Sequence, residues 1–317
     1  MVQASKIHIV AGSSHPDFAN RICNRLNIDV IVARVQQFSN GETLVEIGHD
    51  IKGAKVYVVQ SPNPGDSLDR HLMELLLLLG ACKAAAASTI ITVVPCLPYA
   101  RQDKPESFDG SKDANVPISA KIVAKMLESA GANQVICLDL HSPQITGFFD
   151  IPVQNLQAQS EFASWIRTNV ADWKSKIVLV APDAGGVERV IGLANDLEVD
   201  FVIINKQRQK ANEVASMTLA GNVEGRSALI VDDIADTCGT LSLAAEKLMD
   251  AGATEVLALI VHGLFSGKAL QKLNESKITK IVVTNSLPQG ENLKGWSQLE
   301  VLDVSTVFAN VIKVCDN

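Results

Sequence analysis

Residues 228–240 read ALIVDDIADTCGT: an apolar run, two adjacent carboxylates, a short polar turn and then Gly239 and Thr240. Ala228 to Val231 is apolar on both faces, as a strand buried in a parallel sheet must be. An amphipathic pattern from Thr240 to Ala251 follows, so the chain passes here from strand to helix. Such a junction predicts an anion cradle. Gly239 permits tight backbone, threonine hydroxyls and helix-start N–H groups donate to phosphate oxygens, and the helix dipole adds positive potential. Asp232 and Asp233 would repel phosphate but suit the vicinal hydroxyls of a ribose. A helix cap accounts for Asp236 or Thr237 but not for the two strand-end acids together.

Working outward, short Val- and Ile-rich runs recur at Ile7 to Val10, Val56 to Gln60, Ile90 to Val94, Val135 to Leu138, Ile177 to Val180, Phe201 to Ile204, Val256 to Val261 and Ile281 to Thr284. Helical patterns lie between most of them, at Ser67 to Ala84, Ile118 to Ala130, Val187 to Leu197 and Lys268 to Glu275. This alternation predicts an α/β protein with mainly parallel sheets. One plan occurs twice, since Val58 to Asp66 and Val94 to Arg101 correspond to Val178 to Gly186 and Ile230 to Thr240. Two similar domains are expected, 1–150 and 151–317.

With 47% apolar residues in 317, the chain has enough material for a sizeable core in each domain. Its 28 Lys and Arg against 35 Asp and Glu give a net charge of −7, which speaks against a nucleic-acid partner. The six cysteines include no CxxC pair and mostly sit in apolar runs, so buried reduced thiols and a cytoplasmic setting are expected. Met1 to Val10 reaches a Gly-Ser-Ser turn before any long apolar stretch, so no signal peptide is expected. Leu72 to Val94 changes period midway and carries Glu74 and Lys83, which predicts a buried helix and strand rather than a membrane span.

Three further places could carry chemistry. Pro182 to Gly186 is a second strand-loop-helix junction, where Gly185 and Gly186 let backbone approach another anion and Asp183 could hold a divalent ion. Asp139 and His141 end a buried strand, and alternation would put them on one side. Magnesium prefers oxygen ligands, so His141 would act partly through water and Asp139 would orient it. Lys206, Arg208 and Lys210 follow the strand at Phe201 to Ile204 and would form an electropositive wall if extended. Before all three in the chain, 102–116 is crowded with polar residues, Gly and Pro, and a lid is expected there. No GxxxxGK[ST] or strand-linked GxGxxG appears, so any nucleoside triphosphate binds outside those cradles.

Together these residues resemble the ribose-phosphate pyrophosphokinase family over nearly the whole chain. The resemblance rests on 38–48 (FSNGETLVEIG), 98–103 (PYARQD), Asp139 to Pro152, Pro182 to Gly186, Lys206 to Val214 and Asp232 to Thr240. It implies two phosphoribosyltransferase-like domains and transfer of the β,γ-diphosphoryl group of ATP to the C1 hydroxyl of ribose 5-phosphate, with Mg2+. Asp232 and Asp233 would take the ribose hydroxyls, and Asp236, Thr237, Cys238, Gly239 and Thr240 the 5-phosphate. Asp183, Ala184, Gly185 and Gly186 would face the diphosphate, with His141, Asp183 and Asp139 at the metal. Arg101 and Gln102 would hold ATP, and Phe38, Asn40, Gly41 and Glu42 would form a hairpin reaching adenine in a neighbouring subunit. Shared sites imply a homo-oligomer, dimers assembled into hexamers. Lys206 and Arg208 would neutralise transition-state charge.

The sequence also departs from the family. The loop after Asp103 is long, and Asn115 stands where an Arg is common. Pro143, Thr146 and Gln154 differ from the usual polar residues. No Ser-and-aromatic tail follows Asn317 in the sequence, so weak phosphate activation and blunted ADP control are expected. The competing readings are a non-catalytic associated subunit and a nucleobase phosphoribosyltransferase. Against the first stand Lys206, Arg208 and Asp236 to Thr240, and against the second the fused units and the His141 block.

Overall fold

The computed structural model describes residues 7–105, 115–210 and 213–316 and, within them, the side chains outside 206–217, 291, 293, 315 and 316. The chain begins with β1 (Ile7–Ala11), α1 (Pro16–Leu26) and β2 (Val30–Val32), then sets out a ribbon of β3 (Arg34–Gln37) and β4 (Thr43–Glu46). Next come β5 (Lys55–Val59), α2 (Leu68–Ala84), β6 (Thr89–Val93), α3 (Ser119–Ala130), β7 (Gln134–Leu138) and β8 (Val153–Leu156). The second half opens with α4 (Gln159–Asn169), α5 (Trp173–Lys176), β9 (Ile177–Ala181), α6 (Val187–Leu197), β10 (Phe201–Lys210) and β11 (Glu213–Ala220). It continues through β12 (Ser227–Ala235), α7 (Gly239–Asp250), β13 (Glu255–Gly263) and α8 (Ala269–Glu275), then β14 (Ile278–Thr284), α9 (Gly290–Gly295), β15 (Leu299–Leu302) and α10 (Ser305–Asp316).

Two parallel sheets organise these elements. The first runs β2-β1-β5-β6-β7-β8, and the second β11-β10-β9-β12-β13-β14-β15, with only β11 antiparallel to its neighbour. Helices cover both faces of each, which is why Val178, Leu179 and Val180 are all fully buried and why no polar alternation marks these strands. One helical layer is shared. Phe18 of α1, Phe162 of α4, Val190 of α6 and Phe308 of α10 lie in one core with Ile9 and Tyr57 of the first sheet and Leu179 and Leu229 of the second. Phe18 and Phe308 meet edge to face, 5.2 Å between centroids, joining the first helix to the last. The outer faces carry Leu75 and Leu127 from α2 and α3, and Leu241 and Leu273 from α7 and α8.

The α/β architecture is as expected. Residue 150 falls between β7 and β8, neighbours in one sheet, so the first sheet's last strand lies beyond the anticipated division. β10 and β12 outrun their apolar runs because their ladders continue: Lys206 pairs with Met217 of β11, and Ile234 with His262 of β13. β7, by contrast, stops at Leu138. Asp139 has φ 40°, in the left-handed region that Asp tolerates better than most residues, so strand alternation does not extend to it. Asp139 is buried and His141 is partly exposed. Residues 106–114, the middle of the anticipated lid, lie outside the described residues.

Candidate functional site

The site gathers at the carboxyl ends of β7, β9 and β12, the position that favours ligands in parallel sheets. Asp232 and Asp233 sit inside β12, Asp232 half-buried and Asp233 buried, and the Asp233 N–H donates to Asp232 Oδ1 at 3.0 Å. The two differ electrostatically. Burial and the neighbouring Asp233 charge push Asp232 well above the usual carboxylate range. Burial opposes charge on Asp233 too, but the His141 hydrogen bond and the Arg189 guanidinium outweigh it and hold Asp233 below that range.

His141 comes from the other sheet. Its Nδ1 lies 2.8 Å from Asp233 Oδ2, and that hydrogen bond raises the imidazole pKa above its ordinary value against the opposing effect of burial. Asp139 does not orient His141. Its Oδ2 accepts the Ala158 N–H at 2.7 Å, and its Oδ1 lies 3.4 Å from Arg189 Nε. Arg189 also reaches Asp233 Oδ1 at 3.7 Å, so one guanidinium links acids from both sheets. Sequence reasoning missed Arg189. The available signal was a cation in the first turn of α6, where the helix dipole disfavours it.

After Ala235 the backbone turns sharply. Cys238 has φ 57° at the start of α7, and its own side chain does not cap that helix, so the turn presents amides of the kind that receive anions. Asp236, Thr237, Gly239 and Thr240 complete this turn, with Thr237 exposed. Arg101 reaches it from the first half, with Nη1 2.7 Å from Asp236 Oδ2. Gln102 is engaged otherwise: its Oε1 accepts the Ser119 hydroxyl at 2.6 Å, and its carbonyl accepts the Ala120 N–H at the start of α3.

The junction after β9 differs from expectation in one respect. Asp183 Oδ1 accepts the amides of Gly185 at 2.9 Å and Gly186 at 3.3 Å, so the carboxylate itself occupies the donors that, with Ala184, were expected to face an anion. Neither glycine has positive φ. At the remaining positions, Phe38 to Glu42 form the turn between β3 and β4, closed by Phe38 N–H to Glu42 O at 2.8 Å. Gly41 takes φ 88° there, and Phe38 stands 48% exposed. Lys206 and Arg208 lie on β10 beside the same sheet's carboxyl end, and their side chains are outside the described residues. Among the described residues no three His, Cys, Asp or Glu form a metal cluster, and no helix is long and apolar enough to cross a membrane. Cys23, Cys82, Cys96, Cys137 and Cys238 are free and buried.

Residues 7–131 match the N-terminal domain of ribose phosphate pyrophosphokinase, and residues 196–317 match the phosphoribosyl synthetase-associated domain. The crystal structure of phosphoribosylpyrophosphate synthetase from Mycobacterium smegmatis is 35% identical, covers 98% of this chain and 99% of its own, and superposes with a TM-score of 0.89. The APRTase from Giardia lamblia overlaps 41% of this chain and 76% of its own at 18% identity and TM-score 0.32. A hypoxanthine phosphoribosyltransferase from Staphylococcus aureus overlaps 33% and 62% at 16% identity and TM-score 0.28. On the near full-length match, the chain belongs to the phosphoribosylpyrophosphate synthetase family, the ribose-phosphate pyrophosphokinases.

Proposed function

We propose that this chain is a ribose-phosphate diphosphokinase, transferring the β,γ-diphosphoryl group of ATP to the C1 hydroxyl of ribose 5-phosphate to give phosphoribosyl diphosphate and AMP. The observation that carries the reading is the contact of Arg101 with Asp236, 2.7 Å. It joins the residue proposed to hold ATP to the loop proposed to hold the 5-phosphate, and a diphosphoryl transfer needs both substrates in one crevice.

In this reading the C1 oxygen attacks the β-phosphorus in line, its proton is lost, and the bond from the β-phosphorus to the bridging α-oxygen breaks. Asp232 and Asp233 hold the ribose hydroxyls, and Asp236 to Thr240 hold the 5-phosphate. Lys206 and Arg208 neutralise charge on the transferring group. Phe38, Asn40, Gly41 and Glu42 contact adenine of a neighbouring subunit, in a homo-oligomer of dimers forming hexamers. A cytoplasmic setting fits the buried free cysteines.

Mg2+ suits the donor set, because it commonly takes one or two carboxylates and completes its shell with water and substrate phosphate. Asp183 would hold it, with the Nε2 side of His141 reaching it once that imidazole gives up its proton, and it would neutralise phosphate charge. Asp139, already engaged by Ala158 and Arg189, would act only indirectly.

A second reading, a non-catalytic associated subunit, is favoured by the description matched at residues 196–317. Incubating the purified chain with Mg2+-ATP and following AMP separates the two. AMP release that requires ribose 5-phosphate, with phosphoribosyl diphosphate as co-product, is expected. Its absence in the isolated chain leaves the associated subunit as the reading.

A further inference from the structure

We propose that His262 is a positioning residue that sets the His141–Asp233 pair by gripping the turn from which His141 projects. The inference deepens the proposed function and rests on it for its catalytic consequence. His262 is buried at the end of β13, in the second sheet, and its Nε2 lies 3.0 Å from the carbonyl of Leu138, the last residue of β7 in the first. A carbonyl only accepts, so Nε2 carries the proton. Nδ1 lies 2.8 Å from the Ser286 hydroxyl, which fixes the other side of the ring. Burial lowers the imidazole pKa, in keeping with a neutral ring whose nitrogens have separate roles.

The register makes this contact part of a two-point clamp. Ile234 pairs with His262 and Asp232 with Ile260, so Asp233 and His262 sit on adjacent strands within about one residue of each other along the sheet. Asp233 holds the turn at His141, and His262 holds it three residues earlier at Leu138. The first sheet holds the same turn through Leu138 N–H to Pro95 O, 3.1 Å, and Asp139 N–H to Leu156 O, 2.8 Å. Without His262, the second sheet loses one of its two fixed points and the imidazole of His141 can pivot on Asp233.

His262→Leu removes the donor at similar volume, and His262→Gln offers an amide N–H to Leu138 and a carbonyl to Ser286. The readout is the hydrogen-bonded Nδ1 proton of His141 by 15N-edited NMR of the metal-free protein, with kcat and KM alongside. The leucine variant is expected to lose or shift that proton and lower kcat by on the order of 10²-fold with little change in KM, as a small misplacement does. Glutamine should restore both. A folded leucine variant with an unchanged His141 proton overturns the proposal. If that variant does not fold, Ser286→Ala is read instead: a shifted proton supports the clamp and an unmoved one refutes it. An altered proton in a chain that makes no AMP would sink the diphosphokinase reading while leaving the clamp in place.

Discussion

His141 and Asp233 lie 2.8 Å apart although one follows β7 of the first sheet and the other is inside β12 of the second. The pair is therefore a property of how the two sheets are set together. Each partner's pKa moves so as to keep both charged: His141 is raised by its bond to Asp233, and Asp233, despite burial, is held low by His141 and Arg189.

The sign of the resulting pH dependence follows from linkage. The imidazole contributes stability that is full below its unfolded pKa of about 6.5 and is lost as pH rises through the higher folded value. The carboxylate contributes stability that is full above about 3.9 and is lost as pH falls through the lower folded value. An NMR titration of metal-free protein should give His141 a midpoint above 6.5, and Asp233→Asn should bring it down. Equal midpoints in both proteins would refute the pairing.

The bridge from Arg101 to Asp236 is largely exposed, 53% at the arginine side chain. Exposed pairs contribute about 0–1 kcal/mol, so Arg101→Ala should leave denaturant stability nearly unchanged. Its proposed work is on substrate, and kcat/KM for ATP should fall by roughly 10- to 100-fold, the scale expected when a reactant loses a positioning contact. A large loss of stability with normal ATP kinetics would make the residue structural instead.

How much of this was legible in the sequence differs from residue to residue. Val178 to Val180 announce a buried parallel strand because each is apolar and the pattern is local. β2, with three residues, and β11, an edge strand of mixed polar and apolar residues paired only with β10, carry no such signal. The turn at Asp236 to Thr240 is readable for the same local reason as the buried strands, since Gly and Thr at a strand-helix junction act through backbone. The partner of His141 was not readable. Alternation pointed to Asp139, two residues away, whereas the structure supplies Asp233, ninety-two residues on. A strand end with positive φ and a contact between sheets are both invisible to periodicity.

The join between the first and last helices should fail in acid. Asp303 is partly buried, which opposes its charge, yet hydrogen bonds from Ser305, Arg25 and Asn285 hold it well below the usual carboxylate range. A lowered folded pKa means stability present above the unfolded value of about 3.9 and lost as pH falls through the folded one. Asp303→Asn is expected to cost about 1.5–3 kcal/mol at pH 7, the range for hydrogen bonds to a charged group. The gap to wild type should narrow below pH 4. A gap that stays constant into strong acid would show that ionisation of Asp303 does not matter.

Burial pushes the thiols of Cys82, Cys96, Cys137 and Cys238 up to about 12 and that of Cys23 to about 11. Since the thiolate is the nucleophile, all five should be inert to a disulfide reagent at pH 8 in the folded protein and react fully in denaturant. Fast native labelling of any of them, identified by peptide mapping, would contradict the packing.

Lys206 and Arg208 lie on β10 where its ladder with β11 loses register, between Gln207 and Arg208 and again between Arg208 and Lys210. Bulged ladders of this kind gather beside active sites, because an extra residue re-aims the chain that carries it. The strand begins beside β9, whose carboxyl end leads into the Asp183 turn, so the irregular segment extends from the sheet end where the candidate site lies. If Lys206 stabilises charge on the transferring diphosphoryl group, its removal acts on the transition state rather than on the ribose ground state. Lys206→Ala should therefore lower kcat by on the order of 10²-fold or more, the usual cost of one preorganised stabiliser. Ribose 5-phosphate binding by calorimetry should survive. Near-normal turnover would remove Lys206 from the chemistry, and lost ribose 5-phosphate binding would move it to the sugar-phosphate site.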